Sequence, residues 1–478
     1  MVETLKIDRT FDEEEKDLFK TFIDTYMLPG VKTNNSYWRE GEFVEVIVNP
    51  GCNQQCSYCY LHNYGKDLYP METRGTKEQQ LKNLTLFLDY LIERKIFVRS
   101  WEIYGGDLLH DGILWDMFDI FGEKYKYIIE TYPELISAPN DQRPIEIIVP
   151  NNMSYFADKK LQEKLLMYRE KMLKESHCVL GFSWSTDGKY AVDTREKKEL
   201  DDEYWDNLLT FARKIESGVH PMIASENIEN WIKNYDWWLE VFDKYNFYDQ
   251  PEHFQPPMLE VRNDSWTPEK INSYLKFIKH LWDVRFAKND HDVYKMARHF
   301  FIGDGLDGSL PHASQMDPLI TLPSLQKRTE ERMTCSIQEQ FHLILADLNI
   351  VPCHRTSYSF MRGGYFKVEN DKIVDIEPHN VPLFLQVVSA PITMLPRCFN
   401  CDHRMVCMRG CLGAQYESSG ELFLPIDSVC NLFCRKGDFI VKLLFESGVL
   451  QCAIENNFLD EPRKEYYLNI CRKLGYKL

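Results

Sequence analysis

The sequence predicts a parallel α/β fold followed by a cysteine-rich module. Six apolar, strand-like runs alternate with helix-like segments between residues 43 and 285. Cys52, Cys56 and Cys59 lie in the loop directly after the first of those strands. Eight of the fourteen cysteines then crowd between residues 335 and 434. Strands that alternate with helices favour a parallel sheet, because a parallel pair needs a long crossover between its strands. Functional residues are then expected on the loops at the strand ends.

The elements follow in order. Residues 1–40 read as a polar helical lead-in, in which FDEEEKDLFKTFIDTYM has helical spacing and LPG stops it. FVEVIVNP at 43–50 is the first strand, and KEQQLKNLTLFLDYLIERK at 77–95 is an amphipathic helix. VRSWEIYGG, PIEIIVP, CVLGFSWST, VHPMIAS and PPMLEVRN supply the other five strands, with apolar-periodic helices between them. The core therefore spans 41–300, and a Gly-, Pro- and Ser-containing linker spans 301–330. The cysteine-rich domain spans 331–440, and a helical segment closes the chain at 441–478.

Composition narrows the function classes. The 478 residues carry a formal net charge of -17, which disfavours non-specific nucleic-acid binding. No apolar run is long enough to predict a membrane span, and the acidic start MVETLKIDRTFDEEEKDLF lacks the apolar stretch of a signal peptide. We expect a cytoplasmic protein, a compartment where disulfides are disfavoured and clustered cysteines point to metal. Cys178, Cys452 and Cys471 stand apart from the clusters and read as small buried thiols.

The first cluster, NPGCNQQCSYCYLHN, has the spacing C-x3-C-x2-C. Three thiolates can hold three irons of a cubane and leave the fourth iron open, and an open metal position is what chemistry requires. The alternative is a structural zinc site, which normally takes four ligands and would recruit His62. With Tyr58 before the last cysteine, the loop resembles that of the radical S-adenosylmethionine superfamily. The resemblance implies a partial (β/α)6 barrel and a [4Fe–4S] cluster on Cys52, Cys56 and Cys59. It also implies that the open iron chelates S-adenosylmethionine, which is cleaved to a 5′-deoxyadenosyl radical.

Further stretches resemble the same superfamily. Tyr104-Gly105-Gly106-Asp107 matches its Gly-Gly-Glu pattern with Asp107 as the acid, suited to accept from the cofactor ammonium. Ser185-Thr186-Asp187-Gly188, followed by Asp193 and Arg195, resembles its S-x-D-G…D-x-x-R stretch, shortened here to D-x-R. The resemblance implies Ser185 on the ribose and Arg195 on the methionyl carboxylate, with Asp187 in the same motif. Ser225 and Asn227, ending the fifth strand, and Arg262, in the sixth, are further candidate cofactor contacts. A solvated surface charge is the bland alternative for Arg195 and Arg262.

In the second region Cys398, Cys401, Cys407 and Cys411 read C-x2-C-x5-C-x3-C. This resembles the SPASM extension of radical enzymes that modify peptides and proteins, and a zinc ribbon is the alternative. The resemblance implies two auxiliary [4Fe–4S] clusters. Cys398, Cys401, Cys407 and Cys430 would hold the outer one, and Cys335, Cys353 and Cys411 the inner one. The inner set lacks a fourth cysteine. Cys434 could be recruited, another side chain could ligate, or the site could be open. Leu348 stands where a glycine is usual, five residues before Cys353.

His354 follows Cys353, where sulfatase-maturing members carry a catalytic aspartate. The chain therefore resembles the peptide-maturing members instead, with His354 as a candidate base or a second-layer hydrogen-bond donor. The resemblance implies a thioether or carbon–carbon crosslink in a ribosomally made precursor peptide. It also implies a reducing partner such as flavodoxin or ferredoxin, and recognition of the leader that could need a separate protein. Oxidation or epimerisation of a peptide residue is the enzymatic alternative. An iron–sulfur electron carrier or scaffold is the non-enzymatic one.

Overall fold

The computed structural model describes residues 11–28, 39–48, 50–137, 144–152, 158–191, 195, 200–247, 258–262, 265–302, 340–389, 395–404, 407 and 411–477. The expected linker beyond residue 302, Cys335 and Asp193 lie outside the described residues. The chain forms two compact units that interleave along the sequence. One comprises Met1–Ser185, Asp206–Gly218 and Cys335–Ala390; the other comprises Thr186–Trp205, Val219–Thr334 and Pro391–Leu478.

The first unit is built on a parallel sheet. β1 (Arg39–Ile47), β2 (Ile96–Tyr104), β3 (Ile145–Asn151) and β4 (Cys178–Trp184) lie side by side in chain order. The expected fifth strand is split into β5 (Gly218–Val219), at the sheet edge where the chain leaves this unit, and β6 (Met222–Ile223). Pro221 lies between them and has no N–H to give to a ladder. β6 pairs with β7 (Met258–Leu259) in a separate two-stranded parallel sheet of the second unit. The sixth strand is thus shorter than the sequence predicts, and it joins only the second half of the fifth.

The other edge of the main sheet comes from the cysteine-rich region. β8 (Phe341–Ile344) pairs parallel with β1, and β9 (Asn349–Val351), β10 (Gly364–Glu369) and β11 (Lys372–Pro378) follow antiparallel. The order is β11-β10-β9-β8-β1-β2-β3-β4-β5. Asn83 secures the return, its amide donating to the Leu345 carbonyl at 2.6 Å. The sequence gives no separate signal for β8 as a neighbour of β1, because that pairing joins segments about three hundred residues apart.

The two faces of this sheet differ. Val44, Val46, Phe97, Trp101, Ile103, Ile147 and Val149 are buried on the face covered by the helices Lys77–Glu93 and Ile113–Thr131. Phe87 and Phe121 pack edge-on against Trp101 at 6.2 and 5.0 Å between ring centres. Each such side chain contributes roughly 1.5–3 kcal/mol by leaving water. The opposite face carries Glu45, Glu102, Tyr104, Glu146, Ser183 and His342, interleaved with the apolar positions. A parallel sheet covered on both faces normally reads as a continuous apolar run. Here the period of two marks one face as structural and the other as a polar surface.

The second unit is mainly helical. The helices Trp231–Tyr245, Pro268–Lys288 and Val293–Ile302 are followed by Leu412–Ser419, Asp427–Glu446, Val449–Glu455 and Glu461–Lys473. Trp231 and Tyr235 pack on Phe277, and Phe301 meets Tyr467 edge-on at 5.4 Å. The terminal helices expected from the sequence therefore share a core with the helices before residue 302. No helix among the described residues is long and apolar enough to cross a membrane.

Candidate functional site

In the first unit β1 delivers the chain into the three-cysteine loop. The backbone N–H of Val48 donates to the Tyr104 carbonyl at 2.7 Å, so the loop starts where β2 ends. At that point Gly106 lies directly under Gly51, and a Cβ on Gly106 would overlap the Gly51 backbone. Asp107 donates its N–H to the Gly51 carbonyl, and its carboxylate caps the short turn after it through the Leu109 N–H at 3.2 Å. The Gly-Gly-Asp motif is therefore the seat of the cysteine loop. Asn152, after β3, reaches the same loop: its amide donates to Asn53 at 2.7 Å and to the Cys52 sulfur at 3.8 Å.

The sulfurs sit among hydrogen-bond donors. The Gln54 N–H points to the Cys52 sulfur at 3.4 Å, and Cys59 is the N-cap of the helix Tyr60–Leu68. N–H groups and a helix N-terminus favour thiolate at such positions. Burial pushes the Cys52 thiol up, as befits a sulfur that carries charge only with a cation beside it. Tyr58 is buried beneath the loop at 8% exposure. Three thiols at this spacing, with donors around them, suit a [4Fe–4S] cluster with one open iron. No three His, Cys, Asp or Glu side chains among the described residues are placed to hold a single metal ion.

Below this loop lies a buried acid–base group. Glu45, His342 and Glu102 occupy one row across β8, β1 and β2, since Glu45 is the register partner of both others. His354 arrives from the turn after Cys353, and its Nδ1 lies 2.9 and 3.1 Å from the two Glu45 oxygens. The imidazole stacks on Tyr104 at 4.1 Å, with 10° between planes, and Tyr60 flanks it at 5.7 Å. Tyr60 and Tyr104 share a hydrogen bond of 2.6 Å, and Tyr69 donates to the His354 carbonyl at 2.8 Å.

Burial opposes charge on His354, but the Glu45 carboxylate and its hydrogen bond outweigh it and raise the imidazole above its ordinary value. Burial likewise opposes charge on Glu45, and the two histidines overcome it and lower that carboxyl. Burial, then the Glu45 charge, raises Glu102 to about 8, and burial lowers His342 to about 4. Glu45 and His354 form the ion pair of this group, and burial disfavours charge on Glu102 and His342. Sequence reasoning singled out His354 and missed Glu45, Glu102 and His342. The signal was present as acids at inward positions of the apolar strands VEVIV and WEIY.

Ser185 closes the first unit, its N–H donating to the Asn151 carbonyl at 2.7 Å. The remaining motif residues belong to the second unit. Asp187 accepts from Arg195 Nε and from the Met222 N–H, both at 2.9 Å. Gly188 has φ +106°, and a Cβ there would lie 2.6 Å from Asn234 Oδ1. Asn227 is fully buried, accepting from Ala224 N–H and Trp231 Nε1 and donating to the Met222 carbonyl, so it braces the turn after β6. Ser225 donates its N–H and hydroxyl to Glu260, which also pairs with Arg262. Arg262 reaches Glu226 as well, at 3.1 Å.

The second unit also gathers cysteines. Cys398, Cys401, Cys407, Cys430 and Cys434 line one pocket of about 140 Å³. Cys430 and Cys434 stand one turn apart on the helix Asp427–Glu446, and Cys434 lies 3.9 Å from Cys401, sulfur to sulfur. That contact lowers the Cys401 thiol to about 6 and raises Cys434. His403, buried at 2% exposure, ties the loop to that helix through Asp438 and to Tyr466, both at 2.9 Å. A Cβ on Gly437 would lie 2.5 Å from His403 Nδ1, so only glycine lets the loop sit so close. His403 and Gly437 were not singled out from the sequence. Cys411 is the N-cap of Leu412–Ser419 and does not line this pocket.

The geometry can be set beside known proteins. No family model matches the chain, and no curated protein matches it. A solved structure, native anSMEcpe with bound AdoMet, superposes with a TM-score of 0.50 at 15% identity, over 87% of this chain and 100% of that one. The chain has the anSMEcpe fold. The same protein with bound AdoMet and the Cp18Cys peptide gives 0.46, at 14% identity over 87% of this chain and 100% of that one. SuiB of Streptococcus suis bound to S-adenosylmethionine gives 0.40, at 10% identity over 81% and 74% of the two chains. That likeness concerns the fold alone, and it agrees with the expected class: a parallel α/β sheet with a cysteine-rich region after it.

Proposed function

We propose that this protein is a radical S-adenosylmethionine enzyme that oxidatively modifies a ribosomally made peptide. The observation that carries the proposal is the three-thiol loop at the end of β1, seated on Gly106 and Asp107 and opening onto a polar sheet face. Cys52, Cys56 and Cys59 would hold a [4Fe–4S] cluster. Bound together, that cluster and S-adenosylmethionine supply a 5′-deoxyadenosyl radical that abstracts hydrogen from carbon. The fold shared with anSMEcpe, solved with AdoMet bound, supports this assignment.

The chain's own residues do the rest. Asp107 would accept from the cofactor ammonium, with Gly105 and Gly106 permitting close approach of backbone. Ser185, Asp187, Arg195, Ser225, Asn227 and Arg262 would shape the remainder of the cofactor site, Asp187 and Asn227 by bracing its turns. His354, gripped by Glu45 and Tyr104, would hold a proton near the substrate carbon. Cys398, Cys401, Cys407 and Cys430 would hold an outer auxiliary cluster, with Cys434 as a fifth thiol in that pocket. Cys335, Cys353 and Cys411 would hold an inner one. A flavodoxin or ferredoxin would supply electrons, and a separate protein could present the leader.

The product would be a thioether or carbon–carbon crosslink. The test is mass spectrometry of a candidate precursor peptide after reaction with the reduced, iron-loaded protein and S-adenosylmethionine. Loss of two hydrogens, with fragment ions missing between two residues, is expected. An unchanged mass with a D-residue would replace the crosslink by epimerisation.

A further inference from the structure

On the polar sheet face one carboxyl has no partner. Glu45 is engaged by His354 at 2.9 Å and faces His342 Nε2 at 4.0 Å. Glu102, its neighbour in register on β2, makes no hydrogen bond and no ion pair with any described residue. It is half-buried, two residues before the Tyr104-Gly105-Gly106 turn that seats the cysteine loop. Nδ1 of His342, a side chain only 1% exposed in the same row, also has no partner.

Glu45 already has its partner in His354 at 2.9 Å, and burial disfavours a lone charge on Glu102. A second positive group brought to this face can therefore be met by Glu102, which gives up its proton to become the counter-charge. An anion has no such partner here, and an apolar side chain would leave the carboxyl unpaired. Resting on the peptide-modifying role above, we propose that Glu102 receives a cationic side chain, lysine or arginine, of the peptide substrate. It is a specificity residue: it selects the residue brought beneath the cysteine loop, and the reacting carbon need not belong to that side chain.

The test is selection from a displayed library of random peptides on the full-length, iron-loaded protein with S-adenosylmethionine. Wild type should enrich lysine or arginine at one position by roughly tenfold, the scale of one buried charge pair. Glu102→Gln should lose enrichment at that position and keep it at others. Glu102→Lys should select acids there instead. No basic enrichment by wild type overturns the proposal, as does enrichment that survives Glu102→Gln. If Glu102 instead serves the cofactor ammonium, Glu102→Gln weakens S-adenosylmethionine binding and leaves the peptide selection intact, which also overturns it. The radical role fails separately, as absence of 5′-deoxyadenosine from the wild-type protein.

Discussion

At the scale of single residues, backbone space decides more than side-chain chemistry. Gly106 is required because Gly51 occupies the place of its Cβ. Gly106→Ala should therefore push the cysteine loop off its seat while β2 remains. The iron-loaded variant should carry about four irons per chain fewer than wild type, the content of one cubane, with unchanged circular dichroism. Full iron content would contradict that role. Leu348 shows the converse. It has φ +55°, a conformation that favours glycine, and its side chain is buried at 2% exposure. Relieving the left-handed strain is worth about 1 kcal/mol, whereas deleting a buried leucine side chain costs about 2–5 kcal/mol. Leu348→Gly should lower stability by roughly 2 kcal/mol or more in urea unfolding, despite removing the strain. The cysteines were legible because spacing alone marks them. Glu45 and Glu102 were not, because an acid inside an apolar strand signals function only once the face it points to is known.

At the scale of elements, alternation within strands and contacts between distant segments set the site. The period-2 pattern places Glu45, Glu102 and His342 in one row, and the turn after Cys353 closes His354 over it. The strand positions were legible from apolar runs, and the helices from their apolar periodicity. The break at Pro221 was available in principle from its missing donor. The pairing of β8 with β1 was not, because nothing local records a partner so far along the chain. In the second unit one helix carries Cys430, Cys434 and Gly437, and His403 locks the Cys398–Cys407 loop against it. His403→Ala would leave Asp438 and Tyr466 without their shared partner. A cost of roughly 2–4 kcal/mol is expected in denaturant unfolding, together with loss of iron from the auxiliary pocket but not from the three-cysteine loop. Iron lost from both sites equally would argue against so local a role.

At the scale of the whole molecule, the order of motifs in sequence is not the order of compact units. The polar sheet face and Cys353 share one unit, and the five-thiol pocket belongs to the other. The fold class could be read from strand–helix alternation and cysteine spacing, and the anSMEcpe superposition agrees with it. The interleaving could not, because it depends on which distant strands and helices share a core. The central claim is that Cys52, Cys56 and Cys59 support radical cleavage of S-adenosylmethionine. Its most direct test is chromatographic measurement of 5′-deoxyadenosine from anaerobic, iron-loaded, dithionite-reduced protein, beside Cys56→Ala prepared in the same way. Steady formation by wild type, with none above background from Cys56→Ala, is the predicted result. Equal amounts from both proteins, or none from either, would contradict the claim.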